Sequence, residues 1–196
     1  YTPGTEFIVT GTQTGVNNPG ITVADGVDAN ITLSGVTITA TNGISGIYCG
    51  YYSTGNVTIT VADGTTNTIT GGNGNAAILK NGYNDTVGTL TIKGGKAGTG
   101  KLILKGGSNN AAIGAWSTMG FGNLVIDGGV VTATGGTNAP AIGVAYATSA
   151  SDTNACSDVT INGGTITLNA GTSGYDAIGG GTYTAVSDIE INGGSI

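Results

Sequence analysis

Aromatic side chains recur at one position of this 196-residue chain, a few residues after short apolar segments that end in isoleucine. They are Tyr48, Tyr51, Tyr52, Tyr83, Trp116, Tyr146 and Tyr183. If the segments stack, these rings form a column along one edge of the molecule. Flat ring faces suit stacking against sugar rings, with polar neighbours fixing orientation. The pattern predicts a site for a polysaccharide or host glycan, with Trp116 and Tyr146 as principal contacts. The alternative is that the rings only pack over the loops.

A second recurring position, directly before an alternating apolar segment, carries side chains with oxygen atoms. It holds Asn56, Thr89, Asn123, Asp158 and Asp188. In stacked strands Asp158 and Asp188 lie about 4.8 Å apart at the backbone. Carboxylates that close repel each other unless they are solvated or share a cation, and oxygen ligands are those that calcium prefers. The pair is therefore a candidate calcium site, although we expect the protein to need no cofactor. We favour the alternative that both are solvated aspartates that cap turns.

Enzymatic chemistry is disfavoured by the composition. The chain has no histidine, which excludes histidine-based acid–base catalysis and catalytic triads. Its eleven acidic residues are scattered, whereas glycoside hydrolysis needs two carboxylates at a defined separation. All five basic residues are lysines, and none is near Asp158 or Asp188 along the chain. We therefore expect a protein that is not an enzyme.

The charge and hydropathy of the chain exclude several classes of binding partner. A formal net charge of −6 without arginine argues against nucleic acid and anionic membrane surfaces. No apolar run is long enough to span a bilayer, which takes about 18 residues.

Cys49 and Cys156 fall three repeats apart, about 14 Å in a stack, which exceeds the roughly 7 Å Cα limit of a disulfide. Free thiols are favoured, unless the segment 143–157 folds back to close the gap.

The elements that must position these residues are short repeated strands. The first strand of each repeat carries an apolar pair spaced by two, so both members face one side. These pairs are Val57/Ile59, Leu90/Ile92, Leu124/Ile126, Val159/Ile161 and Ile189/Ile191. A second strand carries equivalent pairs, such as Asn67/Ile69 and Leu102/Leu104, and a third segment contains Ala-Ile. Glycine pairs separate the strands, as expected at sharp corners that need positive φ.

One repeat of about 30 residues is too small to bury its own apolar face, so the repeats must stack. Three short strands per coil predict an all-β fold, a right-handed parallel β-helix. We assign residues 1–30 to a partial N-terminal coil and cap, and residues 31–196 to the repeats. Asn162 is expected to lie beside Asn192 in a side-chain amide ladder.

The two ends of this stack are predicted assembly edges. Ile189 and Ile191 face inward from the last coil, and a soluble solenoid normally covers such an end. We expect more of the same chain, or the N-terminal region of a neighbour, to cover it. Phe7 and Val9 are the candidate cover because they are apolar and lie at the opposite end. Head-to-tail contact of this kind does not close and builds a filament.

Outward threonines on the second strands form another pattern. Thr-x-Thr pairs recur in most repeats, and Lys101, Ile103 and Lys105 interrupt them in one. A flat array of this kind is similar to the ice-binding face of some β-solenoids. Threonine is also a favoured residue of exposed strands, so the array has an ordinary structural explanation.

Several strings resemble a known family. Residues 57–70 read VTITVADGTTNTIT, residues 76–78 read AAI and residues 90–92 read LTI. They resemble the bacterial β-helical carbohydrate-binding domain family of clostridial secreted and surface proteins. The later strings INGGTIT (161–167) and AIGGG (177–181) resemble glycine-rich repeats of gut bacterial surface proteins. The resemblance covers residues 21–196. It implies a pectate-lyase-like fold, an extracellular location, binding of plant or host polysaccharide, calcium and no established catalytic residues.

Three functions are therefore predicted, in order of preference. The first is a secreted or cell-surface β-helix that binds carbohydrate, as an adhesin does, without catalysis. The second is a structural subunit or stalk segment of an extracellular filament that assembles head to tail. The third is an ice-binding solenoid.

Overall fold

The computed structural model describes residues 5–82, 87–116, 119–144, 156–172, 175–180 and 186–196, apart from the side chains of Cys156 and Ser157. These residues form strands and turns only, so no helix among them is long and apolar enough to cross a membrane. The strands are β1 (Glu6–Val16), β2 (Ile21–Thr22), β3 (Ala29–Ala40), β4 (Ile47–Tyr48), β5 (Val57–Val61), β6 (Thr66–Thr70), β7 (Ile78–Leu79), β8 (Leu90–Gly94), β9 (Lys101–Lys105), β10 (Ile113–Ala115), β11 (Gly122–Ile126), β12 (Val130–Thr134), β13 (Ile142–Val144), β14 (Cys156–Ile161), β15 (Thr165–Asn169), β16 (Ile178–Gly180) and β17 (Val186–Ile191).

The strands stack on three faces, and neighbours within each face are parallel. The first face runs through the first half of β3, then β5, β8, β11, β14 and β17. The second face runs through the second half of β3, then β6, β9, β12 and β15. The third face runs through β2, β4, β7, β10, β13 and β16. The predicted parallel β-helix with three strands per coil is confirmed.

Two long strands cross from the first face to the second without a break. β3 bends at Gly35, where φ is +73°, and β1 bends at Gly11, where φ is +97°. β1 lies parallel to β3 along both faces, which places Phe7 beside Ile31 and Val9 beside Leu33. Residues 6–22 therefore form the first layer of the stack. The assigned boundary at residue 30 falls inside β3.

The core is a set of columns made by inward side chains at the same position in successive coils. In one column Ile31, Ile59, Ile92, Ile126 and Ile161 are register partners, and each is at most 4% exposed. Full burial of such a side chain stabilises the fold by roughly 1.5–3 kcal/mol. The polar Asn67 is also inward and fully buried, because its amide oxygen accepts a hydrogen bond from the Val36 N–H at 2.9 Å.

Each coil has three corners: the first joins the first and second faces, the second joins the second and third faces, and the third leads from the third face to the next coil. The glycines at the first and second corners have different roles. At the first corner the expectation of positive φ holds in three repeats, for example at Gly129 (+87°) and Gly164 (+102°), but not at Gly94 and Gly95. At the second corner it is wrong, since Gly72, Gly107 and Gly136 do not have positive φ. There, a Cβ on Gly107 would overlap the carbonyl oxygen of Gly72, and one on Gly136 would overlap that of Gly107. These glycines let successive backbones approach each other closely.

Candidate aromatic site at the third corner

Four aromatic rings meet beyond the third face. Tyr48 ends β4, Tyr51 and Tyr52 follow it, and Trp116 follows β10 two coils later. The Tyr48 and Trp116 rings stack with centroids 6.5 Å apart, and Tyr51 meets Trp116 edge-on at 5.9 Å. Tyr51 and Tyr52 form an edge-to-face pair at 4.8 Å and are 39% and 54% exposed. The predicted aromatic edge therefore exists for these residues, which we call the aromatic cluster.

Trp116 belongs partly to the interior. Its indole N–H donates a hydrogen bond to the Asn75 side-chain oxygen at 2.9 Å, and its backbone N–H donates to the Asn81 side-chain oxygen at 2.9 Å. The ring is half-buried and packs against the core. Because Asn75 and Asn81 lie in the coil between Trp116 and Tyr48, the indole spans that coil. Trp116 supports the cluster from beneath, and the exposed surface belongs to Tyr51 and Tyr52.

Residues 50–55, which we call the tyrosine loop, are held by Asp25 from the preceding coil. One carboxylate oxygen accepts hydrogen bonds from the backbone N–H groups of Tyr51 at 2.6 Å and Tyr52 at 3.2 Å. Gly50 permits this approach because its φ is +80° and a Cβ there would crowd the Asp25 carboxylate. Burial raises the pKa of Tyr48, and the nearby charge of Asp25 raises it further.

Lys80 holds the same loop from the following coil. Its ammonium donates to the Ser53 carbonyl at 2.9 Å, the Ser53 hydroxyl at 2.6 Å and the Gly55 carbonyl at 3.3 Å. The side chain is fully buried. Burial lowers the pKa of Lys80 from 10.5 to about 8, although the neighbouring Cys49 opposes the shift. The tyrosine loop is therefore fixed on both sides before any ligand arrives.

Sequence reasoning missed Lys80, although a signal was present. Lys80 comes two residues after the inward Ile78, as Cys49 follows Ile47, so both occupy one inward column. Cys49 is a free and fully buried thiol, and burial raises its pKa to about 12. The Asn81 side-chain nitrogen is also buried and has no hydrogen-bond partner.

The column that contains Asp158 and Asp188 links successive coils. The Asn56 N–H donates to the Asp28 carboxylate at 2.7 Å, and the Thr89 N–H donates to the Asn56 side chain at 2.9 Å. The Asp158 N–H donates to Asn123 in the same way, at 3.3 Å. Side chains of this column thus cap the strand starts of the next coil.

Asp158 and Asp188 themselves are register partners on β14 and β17, and both are exposed. Within the described ranges, no group of three or more His, Cys, Asp or Glu side chains is placed to hold a metal. Calcium binding at the pair stays a prediction.

Two further sequence patterns appear in the structure. The Asn192 side chain donates to that of Asn162 at 3.1 Å, and Asn162 donates to Asp127 at 2.7 Å, which confirms the amide ladder. Outward threonines align across the second face, as in Thr37 beside Thr68, but β9 interrupts the array. Of the predicted sugar contacts, Tyr83, Tyr146 and Tyr183 lie outside the described residues.

Comparisons of the chain with protein-family models, with curated proteins and with solved structures found no match. The chain is a β-solenoid that carries a partly exposed aromatic cluster at one corner.

Proposed function

We propose that this chain is a carbohydrate-binding β-helix that acts without catalysis outside a bacterial cell, secreted or attached to the surface. The observation that carries the proposal is the exposed pair Tyr51 and Tyr52, backed by Tyr48 and Trp116. Rings in this arrangement offer apolar faces to a sugar, and the polar edges of the cluster hydrogen-bond its hydroxyls. The resemblance of residues 57–92 to β-helical carbohydrate-binding domains supports the same proposal.

The tyrosine loop is held in place by neighbouring coils, which favours binding. A loop that is already ordered loses less conformational entropy on binding, which raises affinity. Asp25 and Lys80 fix the tyrosine loop through hydrogen bonds from the two neighbouring coils.

The test is binding to a panel of plant and host polysaccharides. We expect Tyr51→Ala and Tyr52→Ala each to weaken binding roughly tenfold, equivalent to about 1.4 kcal/mol. Thermal unfolding should change little because both rings are exposed. Tyr175→Ala is the matched control, since Tyr175 lies between β15 and β16, away from the cluster. Unchanged binding in both tyrosine variants would contradict the proposal.

A second candidate function is a subunit of a filament. The column of Ile31 begins at Phe7 in the first layer and ends at Ile191, and these end residues are 46% and 57% exposed. Ile189 ends the neighbouring column and is 49% exposed. Phe7 and Val9 also line an apolar recess of about 250 Å³ at their end. A second copy stacked head to tail would continue both the columns and the parallel hydrogen bonding.

Sedimentation and electron microscopy at rising protein concentration test this candidate. Ile191→Asp and Phe7→Asp should each abolish end-to-end assembly, because either change places a charge in the continued column. Ile8→Asp is the control, since Ile8 is 68% exposed but alternates to the outer side of β1. A monomer at all concentrations would reject the filament. Ice binding is the weakest candidate, because Lys101 and Lys105 place charges within the threonine array.

A further inference from the structure

The charges around the aromatic cluster restrict the sugars that it can accept. Asp25 accepts hydrogen bonds from the tyrosine loop at one end, and Asp28 accepts one from Asn56 at the other end. Both aspartates are exposed. The tyrosine loop is thus flanked by two carboxylates on the solvent side.

Among the described residues, Lys80 is the one cation near this loop, and it cannot neutralise the two carboxylates where a ligand would bind. Lys80 is fully buried, and its ammonium is directed at the Ser53 and Gly55 oxygens beneath the loop. The exposed lysines Lys93, Lys96, Lys101 and Lys105 all belong to the coil of β8 and β9, on those two strands or at the turn between them. A sugar on Tyr51 and Tyr52 therefore meets a negative surface.

We propose that the aromatic cluster selects uncharged or amine-bearing sugars and rejects uronates, with Asp25 as the residue that sets this selectivity. This inference rests on the proposed function and names its ligand class. A sugar carboxylate would lie near Asp25 without a counter-ion, so like-charge repulsion weakens its binding. A sugar ammonium gains from Asp25 and from the tyrosine ring faces through cation–π contact. An uncharged sugar carries no net charge, so it meets neither like-charge repulsion nor ion pairing at Asp25.

The test compares three polymers on the folded chain: an uncharged β-glucan or mannan, polygalacturonate, and chitosan with free amines. Wild type should bind the uncharged and amine polymers and not polygalacturonate. Asp25→Asn retains the side-chain oxygen that accepts from Tyr51 and Tyr52 but removes the charge. We expect it to strengthen polygalacturonate binding on the order of fivefold at low salt and to weaken chitosan binding by a similar factor. Binding of the uncharged polymer is the internal reference, because it reports any loosening of the tyrosine loop, and it should change by less than the binding of either charged polymer.

Asp63→Asn is the matched control. Asp63 is also an exposed carboxylate that accepts backbone N–H groups of the next coil, at Ala97 and Thr99, but it lies at a different corner. It should leave all three affinities unchanged. The Asp25 effect should fade near 1 M salt, where the screening length is about 3 Å. Strong wild-type binding of polygalacturonate, or an equal response of all polymers to Asp25→Asn, overturns this inference alone. Failure to bind any polymer overturns the proposed function and this inference with it.

Discussion

The stability of the protein should rise between pH 8 and 9, because Lys80 is buried in a core column. The pKa of Lys80 is about 8 in the folded protein and 10.5 ordinarily. Between these values the unfolded chain binds more protons than the folded one, so the free energy of unfolding increases with pH. A difference of about 2.5 pH units corresponds to about 3 kcal/mol in all, with about 1 kcal/mol gained by pH 9.

Cys49 acts in the opposite direction at higher pH. Burial raises the pKa of its thiol from 9.0 to about 12, so the folded protein holds a proton that the unfolded chain releases. Stability from this group is complete below pH 9 and is lost as pH rises toward 12. The two contributions oppose each other between pH 9 and 10.5. The expected profile rises from pH 8 to 9, levels off and then falls.

Urea unfolding at pH 7, 8, 9, 10 and 11 under reducing conditions measures this profile. Lys80→Met should remove the rise between pH 8 and 9, and Cys49→Ala should reduce the fall at higher pH. Lys93→Met is the control, because Lys93 is exposed and should leave the profile unchanged. A wild-type profile that is flat or falling from pH 8 to 9, or a rise that survives in Lys80→Met, would refute the reasoning.

Three other predictions concern the stack. Ile92→Ala should lower the free energy of unfolding by about 2–5 kcal/mol, whereas Ile103→Ala, on the outer side of β9, should cost much less in the same denaturation assay. Gly107→Ala should prevent close stacking and lower the melting temperature strongly, because a Cβ overlaps the Gly72 carbonyl, while Gly163→Ala meets only ordinary contacts and should be tolerated. Hydrogen bonds from the backbone N–H groups of Ala97 and Thr99 lower the pKa of Asp63. Its ionised carboxylate therefore stabilises the fold at pH values above the ordinary carboxyl pKa, and this stabilisation is lost on acidification. Asp63→Asn should flatten the acid limb of the pH–stability profile, and an unaltered limb would show that the turn does not depend on the charge.

The fold was accessible from the sequence because inward pairs spaced by two recur with little variation. Val57 and Ile59 predict a strand and its inner face, and the same logic held for the buried Asn67. The glycine corners were only half explained, because the sequence shows that Gly107 is small but not that it abuts the Gly72 carbonyl. Close approach between coils is a property of the stack, and a single repeat does not contain it.

The aromatic cluster was less accessible. The positions of Tyr48, Tyr51 and Trp116 after their apolar segments predicted one edge, and the structure brings these rings together. The sequence did not show that Trp116 spans a coil and donates to Asn75, because that contact depends on the direction of a side chain. Lys80 was overlooked since lysine is rarely buried, although its spacing from Ile78 placed it inside.

The parallel stacking described above also determines how the protein should respond to force. Hydrogen bonds between coils run along the stack axis, so tension applied at the two ends loads each layer in peeling rather than in shear. One coil of about 30 residues, fully extended, measures about 100 Å. Coils that lie between an anchored end and the point of loading would therefore detach one at a time, and each would lengthen the molecule by about 100 Å.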